Sequence, residues 1–227
     1  MVVVVDGLIE PQKKVEMSRI TGFDFGLKTF LTCSDSEVLA SLRASGSKIE
    51  SPQFLKQSLN AIKKASRQHS KKRKGSANRE RARLNLVRKY EGICNRRSDW
   101  FWKLAHDLTD RFDVLCFETL NLKGMQRLCG RKISDLAFGE FINILEWVAQ
   151  KKEKQVVFID RWYPSSKTCN HCGHVLKELD LSVRVWRCPS CQSINGRDEN
   201  AAKNIQAVGA STVKLGDVRQ ALPAIAV

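Results

Sequence analysis

The sequence predicts an α/β domain with a mixed sheet, to which a long basic helical hairpin and a small zinc module are attached. Three observations predict this class. Short apolar runs alternate with helical patterns, one segment holds almost all of the net positive charge, and two Cys-x-x-Cys pairs lie fifteen residues apart. An order of three strands, long helices, a strand, a helix and a strand is typical of a mixed sheet covered by helices. With 227 residues, the chain is long enough to bury a core.

Six short runs predict the strands. The N-terminal runs are separated by polar turns and are typical of a meander, at residues 2–5, 18–24, 27–33 and 37–43. Residues 111–118 and 155–160 are continuously apolar, as expected of buried parallel strands.

Helical periodicity predicts the hairpin at residues 52–110, with its tip at 71–78, where Gly75 and Ser76 interrupt the pattern. The second arm carries an apolar stripe that should face the body of the protein, formed by Leu84, Val87, Cys94, Phe101, Leu104, Ala105 and Leu108. A further helix is predicted at 134–154 with Ser134 as its N-cap, and a last one from about 198 to 208.

The net charge of +15 is concentrated in the hairpin. Between residues 56 and 97 there are fifteen Lys and Arg against two acids, which gives +13. A face that is merely solvated alternates its charges, so this segment predicts a phosphate-binding surface rather than an ordinary exposed face. The candidate nucleic-acid contacts are Lys63, Lys64, Arg67, Lys71, Lys72, Arg73, Lys74, Arg79, Arg81, Arg83, Arg88, Lys89, Arg96 and Arg97.

An acidic membrane surface is the weaker alternative for a cationic chain. No run approaches the roughly 20 apolar residues that a spanning helix needs, and the N-terminus does not have the pattern of a signal peptide. The chain is therefore expected in the cytoplasm.

The two cysteine pairs predict one tetrahedral Zn²⁺ bound by Cys169, Cys172, Cys188 and Cys191. Four thiolates fill the coordination shell and leave no position for a reacting water, so the zinc is expected to be structural. His171 and His174 lie within the module and stay open as alternative ligands, although four well-spaced cysteines already complete the site.

Four acids stand at the ends of predicted elements: Asp24, Glu118 and Asp160 at strands, and Asp198 at the start of the last helix. Each alone could cap a turn or a helix. Together, carboxylates that converge at one sheet edge can hold two Mg²⁺ ions about 3.5–4 Å apart and hydrolyse a phosphodiester. The sequence thus favours a metal-dependent nuclease.

In its motifs the chain resembles the TnpB/OrfB proteins of insertion sequences, which are compact relatives of type V CRISPR nucleases. The resemblance rests on an ordered set of stretches at residues 22–26, 71–79, 114–125, 160–173, 186–191 and 197–205.

This resemblance implies a RuvC-like nuclease with an RNase H-like fold, whose triad falls on Asp24, Glu118 and Asp198 with Mg²⁺ or Mn²⁺ as the catalytic ion. It places Arg197 near the scissile phosphate and leaves Asp160 with a structural role. It also implies a zinc ribbon on the four cysteines, and a guide RNA and a target DNA as partners.

The resemblance divides the chain into a RuvC-like nuclease core (1–168), a zinc ribbon (169–191), a final core helix with the third acid (192–210) and a tail (211–227). Family members usually carry an N-terminal lobe, whereas about twenty residues precede the first catalytic strand here. A separate polypeptide is therefore expected to supply that lobe. Two alternatives stay open: a non-catalytic or truncated RNA- or DNA-binding remnant or regulator, and an RNase H-fold transposase that performs strand transfer.

Overall fold

The computed structural model describes residues 19–35 and 47–214. The strands predicted at 2–5 and 37–43 lie outside these residues. The described elements, in chain order, are β1 Ile20–Phe25, β2 Thr29–Cys33, β3 Lys48–Glu50, α1 Phe54–Ser70, α2 Ala77–Arg111, β4 Val114–Glu118, α3 Leu122–Leu136, α4 Phe138–Lys151, β5 Gln155–Ile159, β6 Val185–Arg187, β7 Ile194–Gly196 and α5 Arg197–Lys214.

The main sheet has five strands in the order β3-β2-β1-β4-β5. Strands β1, β2 and β3 are antiparallel neighbours, whereas β4 pairs parallel with both β1 and β5. This confirms the predicted mixed sheet. Strands β6 and β7 form a separate antiparallel pair within the cysteine-containing module.

Side chains that alternate along the strands build one core on each face of the sheet, because successive residues of a strand point to opposite faces. On β4, Leu115 and Phe117 enter a large core shared with α2, α3 and α4. Val114 and Cys116 enter a smaller core on the other face, together with Ile205 of α5. The domain therefore has three layers. The face of the sheet that α5 covers is called the α5 face.

The predicted hairpin is present as α1 and α2. The Ser76 hydroxyl caps α2 by accepting a hydrogen bond from the amide of Arg79 at 3.2 Å. The predicted stripe is wrong for the first half of α2, because Leu84 and Val87 are 40% and 46% exposed. The buried residues of α2 begin only at Ile93. The residues before it extend toward the hairpin tip, where α1 is the neighbouring helix. Cys94 is also exposed.

The single helix predicted at 134–154 is wrong, because Ala137 separates α3 from α4. Ala137 adopts a left-handed conformation (φ 45°), and Ser134 lies inside α3 rather than at a cap. Leu136 and Phe138 on either side of the break are both buried in the large core. Residues two apart do not face the same side of a continuous helix, so the break allows both side chains to be buried.

Helix α5 is longer than predicted and packs very closely on the sheet. A β-carbon built at Gly22 of β1 would lie 2.1 Å from the carbonyl oxygen of Ala202, and one at Gly209 would lie 2.3 Å from Sγ of Cys116. The Gln206 amide nitrogen also donates to the Ile20 carbonyl at 2.7 Å. Glycine is thus required where the helix meets β1 and β4.

We expect Gly22→Ala to lower the free energy of unfolding by about 1–3 kcal/mol, because the new methyl group would clash with the α5 backbone and push the helix away from β1. Urea denaturation measures this change. Gly92→Ala is the matched control, since a β-carbon there meets nothing within 4 Å and alanine favours a helix. Equal stability of Gly22→Ala and the wild type would contradict the close packing.

Among the described helices, none is both long enough and apolar enough to span a membrane.

Candidate active site

Strand alternation and register place Asp24 beside Glu118. In the parallel pairing of β1 with β4, Phe23 lies opposite Phe117, and each acid is the next residue of its strand. The two phenylalanines point into the large core. Asp24 and Glu118 therefore point to the α5 face, on neighbouring strands that are about 4.8 Å apart.

The third acid reaches this face from α5. Strand β7 ends at Gly196 and α5 begins at Arg197, so Asp198 stands in the first turn of the helix. Helix α5 packs on β1 and β4, which brings its start toward the two strand acids. An Arg184 guanidinium nitrogen lies 3.5 Å from an Asp198 carboxylate oxygen. Asp24, Glu118 and Asp198 are called here the acid cluster.

The acid cluster shares one electrostatic environment. Burial, and then the charges of Asp198 and Glu118, raise the pKa of Asp24 to about 8, while Arg197 and Arg184 counteract this. Burial also raises the pKa of Glu118. Like charges held together at a partly buried site disfavour ionisation unless a cation compensates them. The donor set therefore fits hard divalent cations, which take carboxylate oxygens.

The carboxylates of this cluster are spread more widely than the thiols of the cysteine module. Within the described part of the chain, the cysteines form the one group of three or more potential ligands whose atoms all lie within 4.8 Å of one another. The oxygens of the three carboxylates are therefore not all within 4.8 Å of one another.

A hydrogen-bond network that sequence reasoning missed holds Glu118. The buried hydroxyl of Ser165 donates to a Glu118 carboxylate oxygen at 3.1 Å. The side-chain amide of Asn204 on α5 donates to the carbonyls of Ser165 and Thr168 at 2.7 and 2.6 Å, and that of Asn200 donates to Thr168 at 2.7 Å. Two asparagines four residues apart on α5 were the available sequence signal, since that spacing puts them on one helix face.

Arg197 lies near the acid cluster, but its guanidinium is bound to the backbone of the cysteine module. Its guanidinium donates to the Asp180 carbonyl at 2.8 Å, while its charge acts on Asp24. Arg184 is a second cation at this site that sequence reasoning missed. It lies in the cysteine module, fourteen residues before Asp198 in the chain, so no local pattern identified it as part of this site.

The structure keeps Asp160 out of the cluster. Continued alternation along β5 would put it on the face of Phe158, opposite the α5 face. Its carboxylate instead accepts a hydrogen bond from the Trp162 amide at 2.8 Å. Asp160 therefore shapes a turn, in agreement with the structural role that the resemblance gave it.

The four cysteines form a compact cluster at residues 169–191. The Sγ atoms of Cys169 and Cys191 are 3.7 Å apart, and those of Cys172 and Cys188 are 3.6 Å apart. A tetrahedron with Zn–S bonds of about 2.3 Å has edges of about 3.8 Å, so the cluster fits one zinc ion. The two histidines of the module do not belong to the group of close ligand atoms.

This cysteine module is joined directly to the start of α5. The amide of Arg197 donates to the Arg184 carbonyl at 2.8 Å, and that of Asn170 donates to the side-chain oxygen of Asn200 at 3.0 Å. Strand β7 runs into α5 without a linker. The module therefore fixes the position of Asp198.

Most of the predicted nucleic-acid contacts are exposed on the hairpin, and four of them have local partners. Arg83 pairs with Glu80, and Arg97 pairs with Glu140 while it donates to the Ser134 carbonyl. The other two bind within the hairpin: Arg79 donates to the Lys72 carbonyl, and Arg96 donates to Ser58 and lies over the ring of Phe54. A shallow depression on α1 is lined by Lys63, Lys64, Arg67 and Lys71 together with Asn60 and Gln68.

Two family models match the chain. One, described as a probable transposase (OrfB_IS605), matches residues 3–128, and the other, described as Cas12f1-like, TNB domain, matches residues 138–205.

Similar proteins carry related names. A "Putative RNA-guided DNA endonuclease" of Streptomyces pristinaespiralis is 36% identical over 198 residues, which are 86% of this chain and 46% of the relative. The "TnpB-like protein L79" of Acanthamoeba polyphaga mimivirus is 32% identical over 201 residues, which are 83% of this chain and 37% of that protein. The chain thus spans less than half the length of these relatives.

A chain in the cryo-EM structure of a Cas12f1-sgRNA-target DNA complex has the same fold. It superposes with a TM-score of 0.57 at 18% identity, over 86% of this chain and 51% of that one.

Proposed function

Because the chain belongs to the TnpB/OrfB family of probable transposases, we propose that it is the nuclease part of an RNA-guided, divalent-metal-dependent DNA endonuclease of a transposable element. The observation that carries this proposal is the acid cluster, in which two strands and one helix bring together three carboxylates that are distant in sequence. The mixed sheet, with its order β3-β2-β1-β4-β5, supports an RNase H-like, RuvC-type core.

In this proposal Asp24, Glu118 and Asp198 hold Mg²⁺ or Mn²⁺. Two such ions supply an activated water and stabilise the leaving oxygen of the phosphodiester. Ser165 orients Glu118 through its hydrogen bond, and the carbonyl of Ser165 is in turn bound by Asn204. Arg197, with Arg184 beside it, offsets the negative charge of the acids and faces the substrate phosphate.

The remaining assignments follow the same division of the chain. Residues 1–168, which include the hairpin, are assigned to the nuclease core. A structural zinc ion in the 169–191 ribbon supports the helix at 192–210. The exposed hairpin cations contact guide RNA or target DNA. A protein with this function acts on DNA, and we therefore expect it at the nucleoid of a prokaryotic cytoplasm.

Cleavage of a plasmid target, with RNA transcribed from the flank of the element as guide, tests this function. We expect cutting with Mg²⁺ or Mn²⁺, no cutting without a divalent ion, and products with 5′-phosphate and 3′-hydroxyl ends. Tight binding without cutting under any metal would favour the non-catalytic alternative. Products in which DNA ends are joined to a new strand would favour the strand-transfer transposase.

The hairpin makes a separate prediction about nucleic-acid affinity. The triple variant Lys63→Ala, Arg67→Ala and Lys71→Ala removes three exposed cations from one side of α1. We expect it to lower the slope of log affinity against log salt by roughly two to three, because each lost phosphate contact removes about 0.7–0.9 from that slope. Fluorescence anisotropy over a salt series measures it.

The matched control removes the same charge from exposed positions outside the hairpin, with Lys123→Ala, Lys151→Ala and Lys177→Ala. Its slope should change by less than that of the hairpin variant. Equal slopes for the two triple variants would show that net charge, rather than the hairpin surface, drives binding.

A further inference from the structure

Trp162 is the most exposed large apolar side chain of the described residues, with 83% of its surface accessible. The other strongly exposed tryptophan, Trp147, is 50% exposed and lies edge-on against Trp102 with ring centroids 5.2 Å apart. Trp162 contacts no aromatic ring and no cation within residues 19–35 and 47–214. Both faces of its indole are therefore available to a ligand.

The backbone at Trp162 is held in one turn although its side chain projects outward. A carboxylate oxygen of Asp160 accepts from the Trp162 amide at 2.8 Å, and the Asp160 carbonyl accepts from the Tyr163 amide at 3.1 Å. Tyr163 is partly buried against the core on the α5 face. The turn is thus anchored on both sides of the tryptophan, which limits the entropy that a bound ligand would have to remove.

The turn lies next to the acid cluster. Trp162 stands three residues before Ser165, and the Ser165 hydroxyl donates to a Glu118 carboxylate oxygen at 3.1 Å. Three residues of chain span at most about 11 Å, so the Cα of Trp162 lies no farther than that from the Cα of Ser165. This distance corresponds to one or two nucleotides of a DNA strand. Arg161 beside it is exposed and forms no hydrogen bond or ion pair in the described part of the chain.

We propose that Trp162 stacks on an unpaired base of the DNA strand that enters the acid cluster, while Arg161 contacts the adjoining phosphate. An aromatic face accepts any base and a guanidinium accepts any phosphate, so this contact is independent of sequence. The base of an intact duplex is already stacked, so the site selects single-stranded DNA. This inference rests on the proposed function, because that function supplies the strand at the acids.

Binding of a fluorescein-labelled 12-nucleotide single-stranded DNA tests the proposal, in an Asp24→Asn background that prevents cleavage. We expect Trp162→Ala to weaken binding by about five- to hundredfold, in line with stacking on one base. Trp162→Phe should recover most of the affinity, because phenylalanine retains an aromatic face. Trp147→Ala is the matched control and should bind within twofold of the parent. Circular dichroism checks that each variant is folded.

An abasic residue walked along the oligonucleotide locates the stacked base. In the parent protein, an abasic residue at one position should weaken binding about as much as Trp162→Ala does. In Trp162→Ala, the abasic residue at that position should weaken binding no further. Affinity for a duplex of the same sequence should not depend on Trp162. An unchanged single-strand affinity of Trp162→Ala, an equal loss on the duplex, or abasic profiles that are identical in the two proteins would each overturn the proposal.

Asp160 is a positioning residue in this scheme. Asp160→Ala should lose part of the position-specific abasic effect, while Asp160→Asn should restore it, because the amide oxygen can still accept from the Trp162 amide. The outcomes separate this inference from the proposed function. If the wild type never cleaves DNA but the abasic profile still depends on Trp162, the nuclease proposal fails while the stacking contact stands.

Discussion

Asp24→Asn is expected to abolish DNA cleavage and at the same time to stabilise the fold. In the proposed function Asp24 is a ligand of the catalytic ions, and replacing its carboxylate with an amide removes a charge that those ions require. Since those ions supply several kcal/mol of transition-state stabilisation, we expect a loss of about a thousandfold or more. Cleavage of a guided plasmid target measures the rate.

The gain in stability follows from the raised pKa of Asp24, about 8. A folded-state pKa above the unfolded value disfavours the ionised form, so this group lowers stability progressively as the pH rises from about 4 to about 8. Without added Mg²⁺, the free energy of unfolding of Asp24→Asn should exceed that of the wild type by about 1–3 kcal/mol at pH 8. This range is smaller than the full pKa shift would give, because the side chain is partly exposed to solvent. The difference should vanish near pH 4. Urea denaturation at the two pH values measures it.

Asp107→Asn is the control for this variant, because it makes the same chemical change at an exposed acid of α2. Its cleavage rate should stay within threefold of the wild type. Cleavage at the wild-type rate by Asp24→Asn would refute the nuclease assignment. A loss of cleavage accompanied by unfolding would instead show that Asp24 is needed for the fold.

The second large effect is expected from loss of zinc. Cys188 is fully buried, and Cys188→Ser should unfold the cysteine module, since binding of a structural zinc provides the folding free energy of such small modules. Because that module is hydrogen-bonded to the start of α5, Asp198 should lose its fixed position. Cleavage should then fall by at least about tenfold, and the unfolding temperature should fall as well.

Hydrogen exchange gives the most specific measurement of this effect. Amides of residues 165–214 should exchange faster in Cys188→Ser, while those of β4 and of the second half of α2 should stay protected. Cys94→Ser, at an exposed cysteine of α2, should leave zinc content and exchange unchanged. His171→Ala and His174→Ala should also retain one zinc per chain. Retention of full zinc content by Cys188→Ser would contradict the four-cysteine site.

Several features were predictable because their signals are local. The hairpin, the cysteine ligand set and the strand runs at β4 and β5 follow from periodicity and spacing within a few residues to a few tens of residues. The break at Ala137 could not be predicted, because alanine is a strong helix former and neither glycine nor proline stands within residues 134–138. Burial of both Leu136 and Phe138 in the large core decides it.

The amino-acid sequence alone determined that this protein carries two Cys-x-x-Cys pairs spaced as metal ligands, a segregated basic hairpin and four acids at the ends of elements. Only the tertiary structure decided which acids meet. Asp24 and Glu118 are 94 residues apart and Glu118 and Asp198 are 80 apart, so strand register, side-chain alternation and the close approach of α5 bring them together. The same alternation excludes Asp160, and the same folding adds Ser165, Arg184 and Trp162. The reason is physical: ligand spacing within a turn is set by covalent geometry, whereas contacts between distant elements are set by packing.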